Sequence, residues 1–142
     1  MKKKQEDYQS RFWKPLSNED IIISKSVFHN YGFDKHIHED FAIGVIEKGS
    51  INAFVDGSTR KIDKSSIMTI NPDTAHSNLP FENSSYSQSA IYLNPSFIKI
   101  ILKENFKSQQ LYFKSGLLED EKLANKFSTL ALDYENNELS TI

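Results

Sequence analysis

Three of the four histidines in the chain hold positions from which they could share one site. His36 and His38 are separated by one residue, and His76 follows a turn sequence that contains Pro72. A strand places residues i and i+2 on the same face, so a strand through this region predicts that His36 and His38 point the same way. A later strand could then bring His76 alongside them.

Three interpretations are open for such a cluster of imidazole rings. The rings could bind Zn²⁺ or Fe²⁺ and leave coordination positions free for chemistry. They could equally form hydrogen bonds with a polar ligand. Each histidine, taken alone, could also be a buried structural residue whose hydrogen bonds go to the backbone.

The composition excludes several other classes of function. The chain has no cysteine, which excludes a disulfide scaffold and thiolate chemistry. A net charge of −2 gives no basic surface for nucleic acid, and no Gly-x-Ser-x-Gly elbow or phosphate-binding glycine loop is present. The basic start at residues 1–4 lacks the apolar stretch of a signal peptide, and no run is long enough to span a membrane, so we expect a cytoplasmic protein.

Short strands between turn residues must position the histidines. The apolar run from Phe41 to Ile46 predicts a strand covered on both faces, and Ile51–Val55 is predicted to be its antiparallel return after a turn at residues 48–50. Asp56-Gly57 is typical of a hairpin turn. Further strands are predicted at residues 21–28, 59–62, 67–70 and 86–93. This pattern favours an antiparallel barrel or sandwich.

The sequence period changes to that of a helix after residue 93. Asn94-Pro95 is a helix start, because Asn can cap a helix and Pro suits its first position. In a second helix, one apolar stripe is predicted to pack on the sheet or, as the alternative, to form part of a subunit interface; the stripe consists of Leu123, Phe127, Leu130 and Tyr134. We predict an N-terminal arm at residues 1–20, a barrel at 21–93 and a helical segment of the same domain at 94–142. In the arm, we expect residues 1–8 to be frayed and residues 11–16 to dock on the barrel.

The ordered segments HIHEDFAIGVIEKGSINAFVDGSTRKI, SSIMTINPDTAHSN and SQSAIYLNPSFIKIIL carry a resemblance to a known family. The chain resembles cupin-type β-barrels and, more closely, the N-terminal sensor domains of AraC-type transcription regulators, over roughly residues 21–132. The resemblance implies a mainly β fold, an antiparallel cupin or jelly-roll-like barrel followed by two C-terminal α-helices. It also implies a regulatory domain without cofactor or enzymatic activity that binds a small organic effector.

The same resemblance suggests partners and ligand-binding residues. DNA would be bound only through a C-terminal domain that is not in this chain, which we therefore expect to be a fragment of a longer regulator, and a homodimer is an open option. The predicted ligand-binding residues are His36, His38, His76, Trp13, Phe12, Phe54 and Tyr92. We expect His38→Ala or Trp13→Ala to weaken effector binding while the fold survives.

One departure from metal-binding cupins bears on the alternative function. Their motif has a glutamate four residues after the second histidine, and that position is Ala42 here, while Glu39 and Glu47 have the opposite strand parity to His38. The alternative is a stand-alone metal-dependent cupin enzyme, an isomerase or dioxygenase, with His36, His38 and His76 as ligands. A third option is a dimerisation module whose barrel is filled by side chains such as those of Phe54, Tyr92 and Ile46.

Overall fold

A computed structural model describes residues 8–15, 19–55, 57–106 and 111–140. The expectations for residues 1–7, for Leu16 and for Asp56 lie outside the described residues, as does that for the side chain of Tyr134. Within these ranges the chain forms strands β1 (Tyr8–Trp13), β2 (Ile21–His29), β3 (Phe33–His36), β4 (Phe41–Lys48), β5 (Ile51–Val55), β6 (Ser58–Ile62), β7 (Ser66–Ile70), β8 (His76–Pro80), β9 (Ser85–Leu93) and β10 (Leu117–Glu119). Helix α1 (Pro95–Phe106) follows β9, and helix α2 (Glu121–Ser140) follows β10.

The strands form two antiparallel sheets. The larger sheet has the order β1-β2-β9-β4-β7-β10, and the smaller has the order β3-β8-β5-β6. The main core lies between them, because alternate residues of each strand face the opposite sheet. The larger sheet contributes Ala42, Ile46, Met68 and Ile70, and the smaller contributes Ile51, Ala53, Val55 and Ile62. The predicted fold class, an antiparallel barrel-like β-structure followed by two helices, is confirmed.

Helix α2 covers the outer face of the larger sheet. Ala131 packs there on Ile23 and Ile91, while Ala124 packs on Val45 and Ile67. Strand β4 is therefore buried on both faces, as its continuous apolar run predicts. No helix in the described ranges is long and apolar enough to span a membrane.

Several local sequence signals are confirmed. Strands β5 and β6 form a hairpin in which Val55 pairs with Ser58, and Gly57 has a φ of 78°. The Asn94 side chain accepts a hydrogen bond from the backbone N–H of Ser96 at 2.8 Å, which caps the start of α1.

The pairing of β5 was predicted wrongly. Strand β4 pairs with β7 and β9, whereas β5 belongs to the other sheet and pairs with β6 and β8. The turn at residues 48–50 therefore carries the chain from one sheet to the other. Adjacent strands in sequence need not pair when both edges of the first strand are taken by later strands.

The buried face of α2 also differs from the predicted stripe. Ala124 and Ala131 are 2% and 0% exposed, whereas Leu123 and Leu130 are 44% and 47% exposed. Phe127 packs on the sheet as expected. The small alanine side chains allow the helix to approach the sheet closely, which leaves the leucines on its flank.

Candidate functional site

A cavity of about 190 Å³ lies between the two sheets. Inward-facing residues from both sheets line it, together with the loop between β3 and β4. Its apolar wall includes Phe28, Phe33, Ile46, Ile62, Met68 and Ile70, and its polar wall includes Ser10, Ser24, Ser26, His36, His38, His76, Asn78, Gln88 and Tyr92. The cavity is thus amphipathic and open to a small molecule.

The three predicted histidines come together at this cavity. The ring centres of His36 and His76 are 4.1 Å apart, those of His38 and His76 are 4.7 Å apart, and those of His36 and His38 are 6.3 Å apart. The prediction that His76 would join the pair is confirmed, because His36 and His76 are directly paired residues of β3 and β8.

The expected reason for their proximity was wrong in one respect. His36 ends β3, whereas His38 lies in the loop before β4, so the two residues do not share one strand. A register shift between Phe33 and His36 interrupts β3. The chain then passes from the smaller sheet to the larger one. His38 lies in this connecting loop, and its ring contacts that of His76 from there.

Each of the three rings is oriented by a backbone carbonyl group. A carbonyl oxygen can only accept a hydrogen bond, so Nδ1 of each ring must be the donor. The Nδ1 distances are 2.8 Å from His36 to the oxygen of Asp34, 2.8 Å from His38 to that of Asp40, and 2.9 Å from His76 to that of Thr74. In the neutral form this leaves Nε2 of every ring without a proton and available as an acceptor.

His76 is the buried member of the cluster, with 4% of its surface exposed. Burial lowers its pKa from 6.5 to about 4, and repulsion from His36 and His38 acts in the same direction, while the hydrogen bond to Thr74 opposes the shift. The ring is therefore neutral near pH 7.

Polar residues that the sequence did not single out complete the lining. Ser24 and Ser26 lie two residues apart on the inner face of β2, and both are buried. The Asn78 Nδ2 atom lies 3.5 Å from Oε1 of Gln88, but the buried Oδ1 atom of Asn78 has no hydrogen-bond partner among the described residues. Period-2 spacing of polar residues inside a strand was the available signal for Ser24 and Ser26.

Two other predicted site residues line the cavity. Phe12 on edge strand β1 contributes to the lining, although 64% of its surface is exposed. Tyr92 lies beside His38, with ring centres 5.8 Å apart in an edge-on arrangement. Its hydroxyl group is hydrogen-bonded to Ser24, and burial raises its pKa.

Trp13 and Phe54 do not line the cavity. Trp13 alternates with Phe12 along β1 and therefore faces the outside of the sheet, where it packs with Ile23 and Ile91. Phe54 lies between the inward-facing Ala53 and Val55 on β5, and the Nζ atom of Lys35 lies 4.0 Å from its ring centre. Strand parity separates both side chains from the histidine cluster.

The arrangement does not fit the metal site expected of a cupin. The position of the missing carboxylate, Ala42, is a buried core residue. Glu47 faces the outside of the sheet, where it accepts a hydrogen bond from Ser89 at 2.6 Å and pairs with Lys25 at 3.4 Å. In the part of the chain that the structure describes, no group of three or more His, Asp or Glu side chains is arranged to hold a metal ion.

Comparison with solved structures shows the same fold in distant proteins. AerE from Microcystis aeruginosa has a TM-score of 0.62 and 13% identity; the match covers 82% of this chain and 49% of that chain, so this chain corresponds to about half of AerE. A cupin superfamily protein from Desulfitobacterium hafniense has a TM-score of 0.55 and 10% identity over 66% of this chain and 84% of that chain. The polyketide cyclase RemF from Streptomyces resistomycificus has a TM-score of 0.54 and 13% identity over 62% of this chain and 66% of that chain. At these identities the likeness establishes the fold alone.

A match in sequence is more specific. No curated protein matches the chain. The sequence profile of the AraC-like ligand binding domain matches residues 20–141, which include both sheets from β2 onward, the histidine cluster and both helices. The chain belongs to the AraC-like ligand binding domain family.

Proposed function

We propose that the chain is the effector-sensing domain of a bacterial AraC-type transcription regulator, and that a small organic molecule binds between its two sheets. The observation that carries the proposal is the cavity of about 190 Å³, with three oriented imidazole rings on its wall. Family membership supports the regulatory role. The regulator would act in the cytoplasm and bind DNA through a C-terminal domain outside this sequence.

A ligand changes the state of a regulator only if it binds one arrangement more tightly than another. Phe12 is suited to such a difference, because its ring lines the cavity from an edge strand and is largely exposed. A bound molecule would bury this ring and stabilise β1 against β2. The N-terminal strand would then report whether the cavity is filled.

A cavity-filling substitution tests the proposal. Gly44 lines the cavity, and a Cβ atom there would lie 3.6 Å from the Ser89 carbonyl oxygen and 3.9 Å from the side chains of Ala90 and Met68, which are ordinary contacts. Ligands are first identified by thermal shift with a library of small metabolites. Gly44→Val should then leave the protein folded, which its thermal unfolding curve checks, and lower affinity by about tenfold or more, since the side chain takes the volume that the ligand needs.

His29→Ala is the matched control for substitutions in the histidine cluster at the cavity. His29 is an exposed histidine, hydrogen-bonded to Ser85 at 2.7 Å, and is not a lining residue. Calorimetry should give unchanged affinity for this variant and reduced affinity for His38→Ala. Full affinity in both Gly44→Val and His38→Ala would refute binding in the cavity.

Besides the effector, we propose a second copy of the chain as a binding partner, which would form a homodimer. An apolar groove runs along α2, and its lining includes Ile43, Ile67, Leu118, Leu123, Phe127 and Leu130. If a second copy covers it, replacing Leu123 and Leu130 by Gln should give a monomer in sedimentation experiments. Leu79→Gln, on a similarly exposed leucine of the smaller sheet, is the control. A wild-type chain that is monomeric at all concentrations tested would refute the proposed homodimer.

A metal-dependent cupin enzyme is the rival function, because proteins with this fold include an enzyme, the polyketide cyclase RemF, although the described residues of this chain lack the metal site expected of a cupin. Metal analysis of freshly purified, tag-free protein separates the two. Stoichiometric Fe, Mn or Zn that is lost in His36→Ala would favour the enzyme. Metal-free protein that gains thermal stability with an organic molecule would favour the sensor, since a ligand that prefers the native state stabilises it.

A further inference from the structure

The charge of the cavity wall restricts which molecules it can hold, an inference that rests on the proposed ligand-binding function. None of the described residues that line the cavity is Lys, Arg, Asp or Glu. A carboxylate or phosphate that entered would lose its hydration without meeting a fixed positive charge, which is a large cost.

The wall holds several hydrogen-bond acceptors beside donor groups such as the Ser26 hydroxyl and the Gln88 amide. The Nδ1–H groups of all three histidines are already used by backbone carbonyl oxygens, so Nε2 is the ring nitrogen of each that is left to meet a ligand, and it is an acceptor when it carries no proton. Asn78 is 7% exposed, and its buried Oδ1 is a further acceptor, without a partner in the part of the chain that the structure describes. A buried acceptor without a partner destabilises the free protein, and a ligand N–H or O–H group that reaches Oδ1 through a local shift of the cavity wall would remove that cost.

The remaining wall sets the size and shape of the molecule. Phe28, Met68 and Ile70 offer an apolar surface opposite the polar groups. The volume of about 190 Å³ is somewhat larger than the roughly 150 Å³ of an apolar cavity that accepts benzene. A molecule of about the size of a substituted six-membered ring fits this space.

We infer that the cavity takes a small uncharged molecule that donates hydrogen bonds, such as a polyol or a carboxamide, in preference to an anion of the same size and shape. The histidine rings and Asn78 accept its hydrogen bonds, and the apolar wall packs against its carbon skeleton.

Isosteric pairs of ligands test the inference directly. Carboxamides and their carboxylates, for example benzamide with benzoate and glucuronamide with glucuronate, differ in charge and in donor groups but hardly in shape. Thermal shift and calorimetry on the full metal-free chain at pH 7.5 should show binding of the uncharged members, with affinity at least about tenfold above that of their anions. Equal or tighter binding of the anions would overturn the inference and leave the proposed sensing function intact. No binding by any member of a large set of such pairs would count against the proposed function itself.

The Asn78→Leu variant tests whether Oδ1 of Asn78 accepts a hydrogen bond from the ligand. The variant removes this atom at similar side-chain volume, so affinity for the best uncharged ligand should fall at least about tenfold. The matched control is Tyr86→Phe, which also removes a buried polar atom without a partner, but at a residue that does not line the cavity. Affinity should be unchanged in this control, and unchanged affinity in Asn78→Leu would overturn the role of Asn78.

Discussion

The hydroxyl group of Tyr86 is buried, and none of the described residues forms a hydrogen bond with it. Its ring is 1% exposed and lies 4.9 Å from that of Phe28 in the main core. Burial raises the pKa of this phenol, so the group stays neutral. We expect Tyr86→Phe to raise the free energy of unfolding by roughly 1 kcal/mol, because the cost of burying the hydroxyl group disappears while the ring contacts remain. Denaturant unfolding measures this change.

Tyr92→Phe provides the comparison for this prediction. The Tyr92 hydroxyl group is hydrogen-bonded to Ser24, so its removal should lower stability by about 1 kcal/mol. A Tyr86→Phe protein that is less stable than the wild type would show that the hydroxyl group has a partner after all.

His76 should make stability depend on pH in the acidic range. Its pKa is about 4 in the folded chain and near 6.5 when unfolded, so the unfolded state takes up a proton first as the pH falls. The stabilisation is complete above pH 6.5 and is lost between there and about pH 4. We expect the loss to be on the order of 1 to 3 kcal/mol.

His76→Asn isolates this contribution. An Asn Nδ2 atom can replace Nδ1 as the donor to Thr74 but does not titrate in this range. The acid-induced loss in the variant, measured by urea unfolding between pH 7 and pH 4, should therefore be smaller than in the wild type. Parallel curves for the two proteins would contradict the prediction. Titration of other groups, such as Asp63, cancels in the difference.

At the level of single residues, the sequence predicted the histidines better than their polar neighbours. The spacing of His36 and His38 and the turn before His76 can be read directly from the amino-acid sequence. Asn78 and Gln88 give no comparable signal, because their meeting depends on the way the two sheets face each other. Trp13 was misjudged because strand parity in β1 can be assigned only once its pairing with β2 is known.

Among the elements, the turns after β4 and β5 offer a matched comparison. Gly49 and Gly57 have φ values of 75° and 78°, so both occupy a region that L-residues rarely adopt. A Cβ atom at Gly49 would overlap the carbonyl oxygen of Ser85, whereas one at Gly57 would meet nothing within 4 Å. Gly57→Ala should therefore cost about 1 kcal/mol and Gly49→Ala considerably more, on the order of 3 kcal/mol. Thermal unfolding of both variants measures the difference, and equal losses would contradict the steric argument.

The elements that the sequence predicted carry their own local signals. Strand β4 contains a continuous apolar run, β2 begins with three isoleucines, β9 alternates toward an apolar end, and Asn94-Pro95 starts α1. Strand β8 was missed because HSNLP is polar and ends in proline, and β10 because it has only three residues. Both are defined by their partners, β5 and β7, which lie far away in sequence. The sequence also could not show which later strands would take the edges of β4.

For the molecule as a whole, the two faces of the larger sheet make different contacts: one lines the cavity and the other packs against α2. The inner face of β1, β2 and β9 supplies Phe12, Ser24 and Tyr92 to the cavity. The outer face of the same strands supplies Trp13, Ile23 and Ile91 to the contact with α2. Because neighbouring residues alternate between these faces, ligand binding and helix packing share one set of strands without sharing side chains.

Substitutions on the two faces should therefore separate stability from affinity. Trp13→Ala removes a large ring from the cluster under α2 and should lower the free energy of unfolding by about 2 kcal/mol, with ligand affinity nearly unchanged. His38→Ala removes an acceptor from the cavity wall and should weaken binding with little effect on stability, since its ring is partly exposed. Chemical unfolding of the free proteins and calorimetry with the same ligand give the two readouts. Loss of affinity in Trp13→Ala, at a temperature where the variant is fully folded, would show that the outer face also contacts or gates the ligand, as the aromatic residues of the N-terminal strand were first expected to do.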